Sequence, residues 1–421
     1  MRCAVIGLGY VGLLEAKCLV DKGFEVVGID NNTKVLDNLS LGKSHITGIS
    51  DLAVKDMIQS GRFSLTSDYC NIKNVNVITI CVPTPLDENG EPDLSMVKNC
   101  GSAMCPYLQN QQLIVLESTS YPGTTRDILK PILEKGGKIV GKDIFLAFSP
   151  ERIDPGNSFY SFNNTPKLVG GIDRASAEKA AAFFEKAIDA EVKIVSSCET
   201  AEMSKMVENT FRYINIAFMD EVSLLCKKMN VDVFEVVKAA SSKPYGFIPF
   251  YPNIHIGGHC IAIDPLYLLW VAKQNNVNMK LLQCSKDLLE DFYNINLCVI
   301  KDILARINKT TPQILIIGVT YKDYVADLRE SPALKLINSL NSCRCHVSYY
   351  DELIPTIAIN GKMVNSKTDL TDEVINNSDI IIVHNNQKKC NIKDKLCDYK
   401  GYIIDFRKLL NKETSPYYYS L

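Results

Sequence analysis

A chain of 421 residues exceeds one hydrophobic core, so two or three domains are expected, and its 46% hydrophobic content is ordinary for globular protein. A formal net charge of −2 argues against a nucleic-acid or membrane-surface partner, which calls for a basic patch or tail. No run approaches about 18 uninterrupted apolar residues, so no membrane span is expected. The chain opens MRCAVIGLGYVG, straight into a strand, with no charged-then-apolar leader, and a cytoplasmic location is expected. Its cysteines number 15, an odd count, and only Cys343 and Cys345 are closely spaced. Reduced thiols fit that scatter better than disulfides or zinc, and the five histidines are too dispersed for a metal cluster.

In chain order, RCAVIGLGYVG (2–12) is a β-branched run entering Gly7-x-Gly9-x-x-Gly12, followed by a helix-compatible segment and a second strand, FEVVGID (24–30), ending in Asp30. Gly7 permits the tight turn, Gly9 lets backbone approach a pyrophosphate, and Gly12 lets helix pack on strand. The helix amino terminus attracts the phosphates. Asp30 would bind a ribose 2′-hydroxyl and repel a 2′-phosphate, which favours NAD over NADP. VNVITICVP (75–83), QLIVLEST (112–119), KDIFLAFSP (142–150) and PKLVGG (166–171) read as buried parallel strands of a doubly wound sheet.

Thr200, with Met203 close behind, reads as the cap of a long helix over 200–229 that has apolar residues on more than one face. Such a helix joins domains or forms a dimer interface. On it Lys205, Asn209 and Arg212 fall at i, i+4 and i+7, a polar stripe within a mostly apolar helix, and are expected to be buried or to line a cleft. The stretch IGGHCIAIDPLYL (256–268) sets Cys260 behind Gly257 and Gly258, with Asp264 four residues on. The glycines let backbone and thiol approach a ligand, a nearby cation would favour thiolate, and Asp264 could organise water. Alone, Cys260 fits a small buried apolar residue equally well. From Gln313 a second α/β alternation begins: QILIIGVTY (313–321), CHVSYYD (345–351), SDIIIVH (378–384) and YIIDFR (402–407). The last three strands end in polar or charged residues, as at the carboxyl edge of a ligand-binding sheet. Lys322, Arg329 and Arg407 add cations near strand ends. No short-period repeat or low-complexity linker is present, and the two α/β halves could be distantly similar.

These residues carry a resemblance that spans nearly the whole chain. CVPTPLDENGEPDLS (81–95), VLESTSYPGTT (115–125), AFSPERIDPGN (147–157), AEMSKMVENTFRYINIA (201–217), KPYGFIPFYP (243–252), GGHCIAIDP (257–265), TYK (320–322) and DLRESPA (327–333) resemble the UDP-glucose/GDP-mannose dehydrogenase family. They are most similar to the branch acting on UDP-N-acetylhexosamines, with UDP-N-acetylglucosamine the first expectation and UDP-glucose, UDP-N-acetylmannosamine or UDP-N-acetylgalactosamine the alternatives. The resemblance implies a four-electron, NAD-dependent oxidation of the sugar C6 alcohol to a carboxylate, for polysaccharide or glycan precursor synthesis. It implies an α/β fold of two Rossmann-like doubly wound domains joined by a long central helix, with a homodimer or higher homo-oligomer built on that helix. The expected divisions are an NAD-binding domain over 1–199, a central helical domain carrying the cysteine over 200–305, and a UDP-sugar-binding domain over 306–421.

By the same resemblance Cys260 is the nucleophile, Lys205 and Asn209 stabilise the substrate oxygen, Asp264 and Thr119 position water, and Glu151 supports thioester hydrolysis. Glu151, Arg152, Lys205, Asn209, Arg212, Gly257, Tyr321, Lys322 and Arg407 are implied at the nucleotide sugar. Gly7, Gly9, Tyr10, Val11, Gly12, Asp30, Lys34, Thr84, Thr119 and Arg329 are implied at NAD. No metal is implied. The chain departs from the family where a Pro-Gly-Pro-Gly run is Pro252, Asn253, Ile254, His255, and where a lysine-aspartate pair after Lys322 is Asp323-Tyr324. Asp220 replaces an asparagine, and Lys286-Asp287-Leu288 replaces a Glu-x-Asn segment. A silent nucleotide-sugar binder is the alternative of another class, but it has no use for a thiol, an oxyanion lysine and Asn209, Asp264 and Glu151 together.

Overall fold

Branched aliphatic runs pack well on a pleated surface and set both sheets of the protein. In the computed structural model, residues 1–157, 159–359, 361–410 and 417–421 are described, apart from the side chain of His259. The chain divides into two compact units, residues 1–208 with 266–277, and residues 209–265 with 278–421.

The first unit holds β1 (Arg2–Ile6), β2 (Glu25–Ile29), β3 (Phe63–Thr66), β4 (Val77–Ile80), β5 (Leu113–Leu116), β6 (Phe145–Phe148), β7 (Lys167–Gly171) and β8 (Val192–Val195) in the order β3-β2-β1-β4-β5-β6-β7-β8. Every residue of β4, β5 and β6 is buried, as in a parallel sheet covered on both faces. Alternation along β1 sends Cys3 and Val5 to one core, with Leu13, Leu19 and Phe184, and Ala4 and Ile6 to the other, with Val97, Met104 and Leu133. Each of the larger of these side chains, from Val to Phe, contributes about 1.5–3 kcal/mol by leaving water.

Expected strands 75–83, 112–119 and 142–150 run parallel, but β7 pairs antiparallel with β6, correcting the expectation for 166–171. A parallel pair needs a crossover, generally a helix. The connection after β6 instead carries Pro150, Pro155 and Gly156, and the chain turns back. The helix Arg174–Ala187 then supplies the crossover that makes β8 parallel to β7.

The long helix spans Cys198–Lys228, near the expected 200–229. Its cap is Ser197, whose Oγ accepts from Thr200 N at 3.2 Å, so Thr200 lies in the first turn. A second apolar face is present as expected: Met203, Val207, Phe211, Phe218 and Leu225 are exposed along the helix.

The second unit holds β9 (Gln313–Ile317), β10 (His346–Tyr350), β11 (Thr356–Ile359), β12 (Lys362–Asn365), β13 (Ile380–Val383), β14 (Tyr402–Asp405) and β15 (Tyr417–Ser420). Five form a parallel sheet in the order β10-β9-β13-β14-β15, and β11 and β12 form an antiparallel ribbon. Ile314 and Ile316 face a core shared with Tyr293, Ile300 and Leu336, while Leu315 and Ile317 face Ile375, Ile392 and Leu396. No helix among the described residues is long and apolar enough to cross a membrane.

Candidate active site

The glycine turn has the shape of a phosphate cradle. Gly7 has φ +88°, and a Cβ there would lie 2.8 Å from the Cys81 carbonyl oxygen. A Cβ on Gly12 would lie 1.9 Å from the Gly7 carbonyl oxygen, so helix Tyr10–Asp21 could not sit where it does. Above Gly9 a Cβ would meet nothing within 4 Å, leaving open space beside the helix amino terminus. Asp30, just after β2, accepts from Leu8 N and Asn32 N, each at 2.8 Å, which fixes its carboxylate at the sheet edge. These features fit NAD: pyrophosphate over Gly9 and ribose at Asp30. Tyr10 and Val11 are half-buried in the first turn, and Lys34 is exposed in helix Thr33–Ser40, where Asn32 caps its amide. Thr84 Oγ1 donates to the Thr119 carbonyl at 2.6 Å, and Tyr267 Oη donates to the Thr84 carbonyl at 2.8 Å.

Also in the first unit, Glu151 sits buried on the loop after β6. Its Oε1 accepts from Arg152 N at 2.6 Å and Ile153 N at 2.8 Å, and its Oε2 accepts from Lys167 Nζ at 2.7 Å. Lys205, buried on the long helix, donates Nζ to the Glu151 carbonyl oxygen at 2.6 Å. Arg152 is engaged by Glu208 at 2.8 Å. The segment after Thr119 is tied by Glu202, which accepts from Gly123 N, Thr125 N and Thr125 Oγ1 at 2.7–2.9 Å.

Burial pushes the Glu202 carboxyl up to about 7, against those three donors. A group raised in the fold stabilises it fully below the unfolded value near 4.5 and loses that contribution as pH rises through about 7. Wild type is expected to lose about 3 kcal/mol relative to Glu202→Gln across that window. Urea unfolding of both proteins from pH 4.5 to 8 measures it, and parallel curves would refute it.

In the second unit Cys260 is the second residue of helix His259–Gln274 and is exposed. The amino end of a helix favours thiolate. Asp327 holds the Arg329 guanidinium above its usual range, through an ion pair of 2.7 Å, and the nearby Cys260 adds to that effect. Arg329, expected at NAD, thus lies within electrostatic range of the thiol. Asn209 Nδ2 donates to Asp264 Oδ2 at 2.5 Å, and both residues are buried. The glycine pair is required by Tyr321: a Cβ on Gly257 would lie 2.9 Å from Tyr321 Cβ, and one on Gly258 would lie 2.8 Å from its ring. Lys322 is half-buried beside it. Arg407 reaches Asn385 Oδ1 at 3.3 Å.

The polar stripe on the long helix holds for two of its three members. Burial is found for Lys205 and Asn209 and not for Arg212, which is exposed although its place seven residues after Lys205 brings it to within about 20° of that side chain around the helix.

Several departures contact one another. Asn253 N donates to Asp220 Oδ1 at 3.2 Å, and burial pushes the Asp220 carboxyl well above the usual range. Ile254 is fully buried, and His255 joins Glu290 at 3.1 Å, with Lys335 on the same carboxylate at 2.8 Å. The loop is therefore held by burial and ion pairing instead of proline rigidity. Asp323 lies 3.4 Å from Arg407, giving that cation an acidic neighbour where the family has a lysine. Tyr324 is exposed after it, and Leu288 is half-buried in helix Lys280–Arg306.

Three family domains match in order: the NAD binding domain of the UDP-glucose/GDP-mannose dehydrogenase family over residues 1–188, its central domain over 199–288 and its UDP binding domain over 315–412. The chain belongs to the UDP-glucose/GDP-mannose dehydrogenase family. Among relatives of this dehydrogenase, the UDP-N-acetyl-D-mannosamine dehydrogenase of Methanocaldococcus jannaschii is 34% identical, covering 98% of this chain and 93% of its own length. The UDP-N-acetyl-D-glucosamine 6-dehydrogenase of Pseudomonas aeruginosa is 31% identical, covering 83% and 82%. The structure of a UDP-D-ManNAc dehydrogenase from Pyrococcus horikoshii superposes with a TM-score of 0.88 at 29% identity, covering 98% of this chain and 96% of that one. The protein is an NAD-dependent UDP-sugar dehydrogenase, an oxidoreductase of α/β fold.

Sequence reasoning missed several residues around this dehydrogenase site. Glu117 lies in the stretch 112–119 and Lys167 in the stretch 166–171, and their pairing spans 50 positions of chain. In the second sheet Gly318 N donates to the Tyr350 carbonyl and Val319 N to Asp351 Oδ2, both at 2.8 Å, repeating the arrangement of Gly7, Leu8 and Asp30. The shared signal, a glycine after one strand and an acid after its neighbour, was visible at Gly318 and Asp351.

Proposed function

We propose that this dehydrogenase oxidises the C6 alcohol of a UDP-N-acetylhexosamine to the uronate, for glycan precursor synthesis, with Cys260 carrying the sugar between the two oxidations. The observation that carries the reading is the exposed Cys260 thiol, at a helix amino terminus behind two glycines and within the field of Arg329. NAD supplies the hydride acceptor for both oxidations. The Lys205 ammonium opposes negative charge on the C6 oxygen, and Asn209 donates to it. Cys260 Sγ bonds the aldehyde carbon, giving a thiohemiacetal, and the second oxidation leaves a thioester. Water positioned by Asp264 and Thr119 cleaves it. The Glu151 side chain already accepts three hydrogen bonds, so in this reading it is held in place and anchors the carbonyl that holds Lys205.

N-acetylmannosamine is the first candidate sugar, supported by the relative at 34% identity, and N-acetylglucosamine the second, supported by the one at 31%. The exposed stripe of Met203, Val207, Phe211, Phe218 and Leu225 supports the homodimer. NADH formation with UDP-N-acetylmannosamine, -glucosamine, -galactosamine and UDP-glucose tests the substrate. At least one N-acetylated sugar is expected to exceed UDP-glucose by about 10²-fold in kcat/KM, the size of discrimination that one added polar group commands. Preference for UDP-glucose would overturn it.

A further inference from the structure

A buried charged cluster in the first unit lies outside the groups assigned to chemistry. Glu15 projects from helix Tyr10–Asp21 into the sheet, where an apolar residue would pack, and is fully buried. Its Oε2 accepts from Thr79 Oγ1 at 2.9 Å and Cys81 Sγ at 3.3 Å. Glu117 follows β5, and Lys167 Nζ stands between Glu117 Oε2 and Glu151 Oε2, 2.7 Å from each. The rings of Phe162 and Phe184 close over the ammonium at 4.3 and 5.0 Å. One Oε1 of Glu15 and one of Glu117 lack a partner among protein atoms. Three carboxyls and one cation are therefore buried together, and the two open oxygens are satisfied together if one acid carries a proton and donates it to the other.

We propose that Lys167 is a positioning residue for the dehydrogenase, fixing the Glu151 side chain and thereby the carbonyl that seats Lys205, and that Glu15 and Glu117 share one proton beside it. The proposal rests on the roles assigned above to Lys205 and Glu151.

Charge and geometry agree. Burial opposes the charge on Lys167, but Glu117, Glu151 and Glu15 together hold its ammonium above the usual lysine range. Burial raises both carboxyls, Glu15 well above the usual range, and the Lys167 ammonium 2.7 Å from Glu117 Oε2 favours the ionised form there, so Glu15 is the proton holder and Glu117 the acceptor. The other titratable neighbours are the thiols of Cys3, Cys18 and Cys81, all raised first by burial and so neutral. With one proton on Glu15, the carboxylates of Glu117 and Glu151 balance Lys167 and Lys205. Glu15, Cys81 and Glu117 also have the spacing of metal ligands, but Lys167 already supplies the cation.

The test uses the full-length enzyme. Lys167→Met is expected to lower kcat at least tenfold with little change in KM for either substrate. Lys167→Arg, which keeps the charge and can still pair with both carboxylates, should restore kcat toward wild type. A folded Lys167→Met protein with wild-type kcat overturns the positioning role, since a merely structural lysine would change stability alone. The shared proton is read without substrate. The difference infrared spectrum of wild type minus Glu15→Gln at pH 7.5 should show a band for the carbonyl stretch of one protonated carboxylic acid, while Glu15→Gln keeps the wild-type unfolding midpoint and turnover and Glu117→Gln lowers both. Absence of the band, equal damage from both substitutions, or a metal ion present one per chain overturns it. If the wild type oxidises no UDP-sugar the functional reading fails, and the infrared and unfolding results still decide the proton.

Discussion

Cys260→Ser is expected to lower kcat by about 10³-fold or more while NAD and UDP-sugar still bind. The hydroxyl replaces the thiol with little change in volume at an exposed position, so folding is unaffected. What changes is chemistry. A serine hydroxyl gains far less from a helix amino terminus and the field of Arg329 than a thiol, which those same features convert to thiolate. Any acyl group it takes is an ester, which hydrolyses more slowly than a thioester. Intact mass after incubation with NAD and substrate is therefore expected to show some acylated Cys260→Ser protein. Turnover near that of wild type would mean that Cys260 is a packing residue.

Lys205→Ala is expected to lower kcat by about 10²–10³-fold, the usual loss when a fixed donor to a developing oxyanion is removed. Unlike Cys260→Ser, it should slow the first oxidation as well as the second, because negative charge forms on the C6 oxygen in both. Stopped-flow NADH formation separates the two. Cys260→Ser should keep a first burst of hydride transfer, and Lys205→Ala should lose it. Lys205→Ala also leaves the buried Glu151 carbonyl without its donor at 2.6 Å, so a stability loss of about 1–3 kcal/mol is expected alongside. A normal burst in a folded Lys205→Ala protein would remove the lysine from the chemistry.

Much of this was legible in the sequence, because the determinants are local. Gly7, Gly9, Gly12 and Asp30 are required by a turn, and the structure shows the turn and the fixed carboxylate. The strands of both sheets are short aliphatic runs, and those expected were found, with β7 reversed in direction by a connection that holds prolines where a crossover helix is needed. Cys260, Asp264 and the glycine pair share one short motif. The rest depends on distant pairings that spacing does not encode. Lys167 meets Glu117 and Glu151 across 50 and 16 positions, and Glu15 reaches Thr79 across 64. Arg212 obeys the helical spacing of its stripe yet is exposed while Tyr213 and Ala217 beyond it are buried, because packing and not periodicity decides which position is covered. β15 is a four-residue run of tyrosines and serine whose only strand signal is aromatic, and only pairing to β14 makes it a strand.

The most direct measurement is the yield of NADH per UDP-sugar consumed, with NAD in excess and the product analysed by mass. The account predicts two NADH for each sugar, a uronate as sole product and no free aldehyde, because the thiol keeps the intermediate bound until water releases it. One NADH for each sugar, with the aldehyde released as final product, would contradict it.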